Sequence, residues 1–384
     1  MNNFDFFNPV RIIFGKDTIA QLPELLPRDT KIMMTYGGGS IKKNGVYDQT
    51  IKALEGFDFI EFGGIEPNPH YETCMKAVEI IKRENTGFLL SVGGGSVLDG
   101  TKFIAAAAKW EKGDPWDIPA KKLPLKSAIP LGCIITLPAT GSEMNCNSVV
   151  SRESTHEKFD FHDPAVYPKF SIIDPECTYS LPERQTINGI IDSFIHVVEQ
   201  YMTYDVNTPI QDRFSESILR TLIEEGPKVL ENPFDYESRA NIFWSTSMAL
   251  NGLISAGAVQ DWCTHMIGHE LTAAYGLDHA RTLACVMPSV WRYKFEDKKQ
   301  KLAQYARRVW GLNCDCDDFA AKQAIILTEE FFHAVKMPTK LAAFGIDAKE
   351  AAAEVMRRFE AQGRLFGEHQ DIDAAAAFKI VENA

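Results

Sequence analysis

Apolar and polar residues follow two different rhythms along this chain. Up to about residue 182, short β-branched or apolar runs alternate with amphipathic stretches. "VRIIFG" (10–15), "KIMMTY" (31–36), "FDFIEF" (57–62), "FLLSV" (88–92), "IPLGCIIT" (129–136) and "FSIID" (170–174) read as strands. "YETCMKAVEIIKREN" (71–85) and "SVLDGTKFIAAAAKW" (96–110) carry apolar residues at helical spacing. Such alternation predicts an α/β domain: parallel strands with helices on the faces of the sheet. Beyond residue 182 the strand signals stop. "QTINGIIDSFIHVVEQYMT", "IQDRFSESILRTLIEEGPKVL", "ESRANIFWSTSMALNGLI" and "KKQKLAQYARRVWGL" all space their apolar residues by three and four. The expected division is an α/β domain over 1–182 and an all-α domain over 183–384. The proline of "SLPERQ" (180–185) punctuates the change. No internal repeat and no low-complexity linker interrupts either half.

Composition narrows the class. A chain of 384 residues is long enough for two domains, and 45% apolar residues supply their cores. The net charge of −12 argues against a nucleic-acid partner. No long run is free of charge, so no transmembrane helix is expected. The start, "MNNFDFFNPVRIIFGK", lacks the basic and apolar regions of a secretory signal. The eight cysteines form no CxxC pair and most sit in apolar runs. They read as reduced thiols of a cytoplasmic protein.

Two stretches read almost alike: "MMTYGGGSIKK" (33–43) and "LLSVGGGSVLDGTK" (89–102). Each is an apolar run, three glycines, a serine, and then a stretch of helical character. In an open parallel sheet, ligands bind beyond the carboxyl ends of the strands. A glycine loop there lets backbone approach a phosphate, and the next helix presents unpaired N–H groups. Neither loop is GxGxxG, so that fingerprint does not apply. The first loop, Gly37, Gly38, Gly39 and Ser40, has no acid to bond ribose hydroxyls, and Lys42 and Lys43 follow it. Backbone N–H groups, a hydroxyl and two cations suit a dianionic phosphate. We therefore expect a 2′-phosphate at 37–40 and a pyrophosphate at Gly93, Gly94, Gly95 and Ser96, both belonging to one NADP(H).

The second half holds two clusters of potential metal ligands. In "GIIDSFIHVVEQ", Asp192 and His196 lie four apart on an amphipathic helix, hence on one face. In "DWCTHMIGHELTAAYGLDHAR", His265 and His269 are again four apart, and His279 follows. One carboxylate with three imidazoles makes a site for a divalent metal. The HExxH motif of zinc proteases is absent, because "HMIGH" has no glutamate at the required place. Trp262, Phe243 and Met248 could line the substrate side, but helical core packing is the stronger reading, and they are not counted as site residues.

Taken together, "RIIFG", "YGGGS", "EPNP" (66–69), "GGGSVLDGTK", "LPATGSEMN" (137–145), "DSFIHVVEQY" and the spaced histidines 265–279 resemble the iron-containing (group III) alcohol dehydrogenases over essentially the whole chain. They are most similar to its branch of NADPH-dependent aldehyde reductases and butanol dehydrogenases. The resemblance implies a Rossmann-like dinucleotide-binding domain followed by a helical metal-binding and catalytic domain, a dehydroquinate synthase-like architecture with the active site in the cleft. It implies Asp192, His196, His265 and His279 as ligands of Fe²⁺ or Zn²⁺, with His269 a non-ligand histidine close to substrate. It also implies Asn68, Asp99, Thr136, Thr140, Asn145 and Lys158 as cofactor contacts, and a homodimer or larger oligomer. Two departures bear on the pocket. Asp278-His279-Ala280 stands where many members have Pro-His-Gly, and Trp262-Cys263 where many have a small residue.

The expected chemistry is reversible hydride transfer between NADPH and short- to medium-chain aldehydes, with the metal polarising the carbonyl and His269 relaying the proton. Two alternatives stand beside it. One is a lyase of the dehydroquinate synthase type, which needs several basic residues for a charged substrate, whereas the 262–279 cluster is apolar. The other is a protein that binds NADP and metal without turnover.

Overall fold

The computed structural model describes all 384 residues, in two compact units: Phe7–Pro182, and Glu183–Ala384 together with Met1–Phe6. The first six residues thus join the helical unit and not the α/β one.

The α/β unit is built on a six-stranded, all-parallel sheet. Its strands are β1 (Arg11–Phe14), β2 (Ile32–Tyr36), β3 (Phe59–Phe62), β4 (Phe88–Gly93), β5 (Leu131–Ile135) and, after a hairpin, β8 (Phe170–Ile173), in the spatial order β1-β8-β5-β4-β2-β3. Burial explains the order. Every residue of β4, β5 and β8 is buried, as strands covered on both faces must be. β1 and β3 carry exposed positions and form the edges. Five helices belong to this unit: α1 (Leu22–Leu25), α2 (Val46–Ala53), α3 (Tyr71–Glu84), α4 (Gly95–Ala107) and α5 (Asp117–Lys121). From Val97 onward α4 is buried at every position, because it packs between the sheet and the hairpin.

That hairpin was not foreseen. β6 (Asn147–Arg152) and β7 (Glu157–His162) pair antiparallel, with Val150 opposite Phe159 and Ser148 opposite Phe161. Its signal is a weak alternation in "NSVVSR" and "EKFDFH", diluted by charged residues on the outer face. The inward side chains Val150 and Phe161 are 0% and 3% exposed and belong to the core around α4.

The helical unit contains no strand. Its helices are α6 (Glu183–Tyr201), α7 (Pro209–Glu231), α8 (Tyr236–Ala249), α9 (Cys263–Tyr275), α10 (His279–Tyr293), α11 (Phe295–Arg308), α12 (Asp317–Ala334), α13 (Ala348–Gln362) and α14 (Ala374–Val381). From Thr186 to Tyr201, α6 is buried without interruption, with α7, α8 and α10 packed on it. A helix hidden all round is the centre of its bundle, so polar groups on it are held by design of their surroundings.

Candidate active site

In the α/β unit the strand order brings the two glycine loops together. β2 pairs directly with β4, so Gly37–Ser40 and Gly93–Ser96 leave the carboxyl ends of adjacent strands. β2 leads outward to β3, whereas β4 leads the other way to β5 and β8. The crevice at such a reversal is where open α/β sheets bind ligands. The loops touch: a Cβ on Gly37 would lie 3.3 Å from the Val97 side chain and 3.2 Å from the Ile65 carbonyl. At Gly95 a Cβ would come within 2.3 Å of Thr140 Oγ1, so only glycine lets the start of α4 sit against that hydroxyl. The Val97 and Leu98 N–H groups close on the Gly94 carbonyl at 3.0 and 3.2 Å, which leaves the N–H groups ahead of them at the start of α4 suited to an anion.

After the first loop the backbone differs. Gly39 adopts φ 97° and a single 3₁₀ turn, Ser40–Lys42, follows; α2 begins only at Val46. Lys42 is exposed, and its ammonium lies 4.9 Å from the Tyr36 ring and 4.6 Å from the Tyr47 ring. Two aromatic faces aim this cation. A hydrogen bond with the Tyr36 side chain raises its pKa above the ordinary lysine value.

The remaining expected cofactor residues divide into two groups. Asn68, at φ 55°, accepts a 2.8 Å hydrogen bond from Lys158 on β7, so the unforeseen hairpin is what brings that lysine to the loop after β3. Thr136 and Thr140 stand beside the second glycine loop: the Thr136 N–H donates to the Gly93 carbonyl at 3.0 Å. Asp99 and Asn145 are instead engaged inside the unit. Asp99 accepts from Ser142 Oγ at 2.7 Å and from the Val149 N–H at 3.1 Å. Asn145 Oδ1 accepts from Lys102 Nζ at 3.2 Å and from the Asn147 N–H at 2.9 Å. Lys102 is fully buried and also donates to the carbonyls of Ser142, Asn145 and Asn147. Burial pulls its pKa down to about 8. The lysine is the peg on which the 141–147 segment hangs, and sequence inspection had no means of finding it.

In the helical unit, α6 presents Asp192, His196 and Glu199 at one-turn intervals along one face. All three are nearly inaccessible, at 5%, 6% and 4% exposure. Gly276, at φ 68°, ends α9, and the short turn to Asp278 starts α10, so His279 comes back beside His265 and His269. Ligand atoms of Asp192, His265 and His279 all fall within 4.8 Å of one another. Asp192 Oδ1 is 3.8 Å from His196 Nε2 and 3.8 Å from His279 Nε2. These separations exceed a hydrogen bond. Ligands held about 2.1 Å from one ion in tetrahedral geometry lie about 3.4 Å apart, so the spacing suits a shared cation. The His196 and His265 rings stack at 4.8 Å between centroids. Burial, and then the adjacent His265, hold the His196 pKa well below its ordinary value, leaving the neutral imidazole a metal requires. The donor set therefore fits a divalent metal.

Further residues surround the centre. Glu199 bonds His265 Nδ1 and accepts the backbone N–H groups of Thr264 at 2.8 Å and His265 at 3.0 Å. That bond turns the other ring nitrogen, Nε2, toward the cluster. Glu199 lay seven residues after Asp192 on the same face, a spacing that was available and overlooked. Glu199, Asp261 and Cys263 also form a compact group. Its cation is Lys298, buried, with Nζ 2.7 Å from Asp261 and 2.6 Å from Glu368. His269 lies beside this cluster, its ring 5.0 Å from that of His279 and 6.3 Å from that of His265. Trp262 departs from expectation: it precedes α9 in a left-handed conformation, φ 67°, with its ring 5.1 Å from that of His265. For a bulky residue this conformation costs about 1–3 kcal/mol. Phe243 does pack in the core, at 0% exposure.

Comparison with known proteins places this geometry. Residues 9–175 match the family described as "Iron-containing alcohol dehydrogenase", and residues 186–383 the "Fe-containing alcohol dehydrogenase family, C-terminal". The chain is 52% identical to the NADPH-dependent aldehyde reductase YqhD of Escherichia coli, with all of both chains covered. It is 41% identical to NADP-dependent alcohol dehydrogenase 3 of Entamoeba histolytica, covering 100% of this chain and 99% of the relative. Among solved structures, the NADH-dependent butanol dehydrogenase A of Thermotoga maritima superposes with a TM-score of 0.94 at 34% identity, over 100% of this chain and 99% of that one.

Proposed function

This chain belongs to the iron-containing alcohol dehydrogenase family, and on that premise we propose that it is an NADP(H)-dependent aldehyde reductase acting on short- to medium-chain aldehydes. The observation that carries the reading is the convergence of Asp192, His265 and His279 within 4.8 Å, with His196 stacked on His265. These four residues hold Fe²⁺ or Zn²⁺, since imidazole with one carboxylate accepts either ion. When bound, the metal supplies a Lewis acid to the carbonyl oxygen.

The chain's own residues do the rest. Backbone N–H groups at Gly93–Ser96 bind the pyrophosphate, and Gly95 keeps the approach open. Gly37–Ser40 and the aimed ammonium of Lys42 bind the 2′-phosphate. Relatives use either nicotinamide cofactor; this loop has no acid of its own and one oriented cation, with Glu61 of β3 bonded to Tyr47 nearby, and the cation supports the NADP choice. Asn68, Thr136, Thr140 and Lys158 line the cofactor, while Asp99 and Asn145 hold its loops in shape. Glu199 fixes the tautomer of His265. A bound dihydronicotinamide would supply the hydride to the carbonyl carbon, and His269, its ring 5.0 Å from that of His279, would give a proton to the oxygen, so that aldehyde and NADPH become alcohol and NADP⁺. A homodimer, or a larger homo-oligomer, in the cytoplasm completes the reading. β1 is an edge strand with Phe14 exposed, a surface suited to a second copy.

The test is butanal-dependent oxidation of NADPH and NADH, run in parallel before and after chelation. Turnover with NADPH that chelation abolishes, and added Fe²⁺ or Zn²⁺ restores, is the expected result. Absence of turnover in metal-loaded protein with either cofactor would overturn it.

A further inference from the structure

We propose that Trp262 is a specificity-determining residue: its indole bounds the apolar side of the metal centre and sets the size of aldehyde accepted. The inference rests on the reductase reading and deepens it.

Strain is the first observation. Trp262 sits at φ 67°, ψ 3°, a region that glycine enters freely and a bulky side chain does not. The backbone is clamped there from both sides. On one side the Asp261 N–H donates to the Glu199 carbonyl at 2.9 Å, and the Asp261 carboxylate is gripped by Lys298 at 2.7 Å. On the other, the Cys263 N–H bonds Asp261 Oδ1 at 3.0 Å, and the next two N–H groups bond Glu199. Residue 262 has no freedom to relax, yet it is not glycine. Strain retained at a fixed position points to work done by the side chain.

Placement is the second. The indole is not core packing: it remains partly exposed, while Cys263 beside it is buried. Its ring lies 5.1 Å from His265, edge to face, and 6.2 Å from His196. Nε1 donates to Gln260 Oε1 at 2.7 Å, a hydrogen bond at the surface that orients the indole. His269 flanks the cluster near His265 and His279 instead. The centre thus has an indole wall by one pair of ligand rings and a protic imidazole by another. An aldehyde has matching ends. Its oxygen needs the cation and the proton, and its alkyl group needs an apolar surface, so the chain lies along the indole. A substituent thicker than that space permits meets the indole, whose backbone is clamped.

The experiment compares Trp262→Gly and Trp262→Ala with the wild type on butanal and benzaldehyde, with metal content measured for each protein. Glycine relieves the strain and alanine does not, so a folding defect confined to alanine is recognised by its lower Tm. For Trp262→Gly we expect the ratio of kcat/KM, benzaldehyde over butanal, to rise about tenfold or more. The change should fall mainly in KM, with wild-type metal content. Equal changes for both aldehydes, or loss of metal, would overturn the proposal and leave Trp262 a clamp on the histidines. Calorimetry of isobutyramide and benzamide on zinc-loaded protein reads the same contrast without turnover. If wild type fails to reduce either aldehyde, the reductase reading falls. The indole wall then stands if Trp262→Gly shifts amide preference toward benzamide, and falls if it does not.

Discussion

The two GGGS loops share four residues, leave neighbouring strands at the same end of one sheet, and then part ways. Gly95 begins a buried helix of 13 residues, whose N-terminus presents backbone donors to an anion. Ser40 begins one 3₁₀ turn of three residues, too short to build a comparable dipole. What that loop offers in its place is a side-chain charge, Lys42, held between two tyrosine rings. The same tetrapeptide therefore offers backbone donors in one place and a side-chain charge in the other. In the proposed function the backbone loop is assigned to the pyrophosphate that every nicotinamide dinucleotide carries, and the side-chain loop to a phosphate that only NADP has, where it would discriminate.

That contrast can be broken by substitution. The largest effect belongs to Gly95→Ala, where the new methyl meets Thr140 Oγ1 at 2.3 Å. Overpacking of this kind costs about 1–3 kcal/mol, so, with that cost falling on the cofactor-binding loop, KM should rise by about 5- to 150-fold for NADPH and NADH alike. An effect on one cofactor only would contradict the backbone assignment. Next is Lys42→Ala, for which we expect KM for NADPH to rise about tenfold with NADH unchanged, measured at low salt. Equal shifts for the two cofactors would remove the 2′-phosphate from this loop.

A smaller effect should come from pH. Tyr36 raises the Lys42 pKa above its ordinary value, so the ammonium stays charged through the working range. The partner titrates instead: the second pKa of a phosphate monoester is about 6. Lowering the pH from about 7.5 to about 5.5 removes most of the second negative charge, so NADPH should weaken about threefold relative to NADH. A constant ratio between the cofactors would count against the pairing. The smallest effect is Gly38→Ala. No atom lies within 4 Å of its added methyl and its φ is not left-handed, so KM should stay within about twofold.

Much of this protein was legible before folding was considered. All six strands of the parallel sheet, and the change to a purely helical unit, follow from periodicity, because burial on two faces or one stripe writes itself into residue spacing. Asp192 and His196 were legible as a pair for the same local reason. The β6–β7 hairpin was not, since its outer face is charged and its inner face holds few apolar residues. Glu199 was missed because it looks like any solvated glutamate until the bundle closes over it. The left-handed backbone at Trp262 was not legible, because a dihedral angle leaves no mark in composition.

Local order, then, was settled by the chain itself: where strands and helices form, which glycines can turn, and which side chains share a helix face. These depend on interactions between residues a few positions apart. Tertiary structure alone decided that β2 lies beside β4, bringing the two glycine loops into contact, and that α10 returns His279 to Asp192 on α6. It also decided which charges are pegs and which face the site. Lys102 and Lys298 read like surface lysines, yet both are buried, and each is held by acceptors that are distant in sequence. Such partners are chosen by packing of whole elements, where the cost of burying an unpaired charge selects the arrangement in which none is left alone.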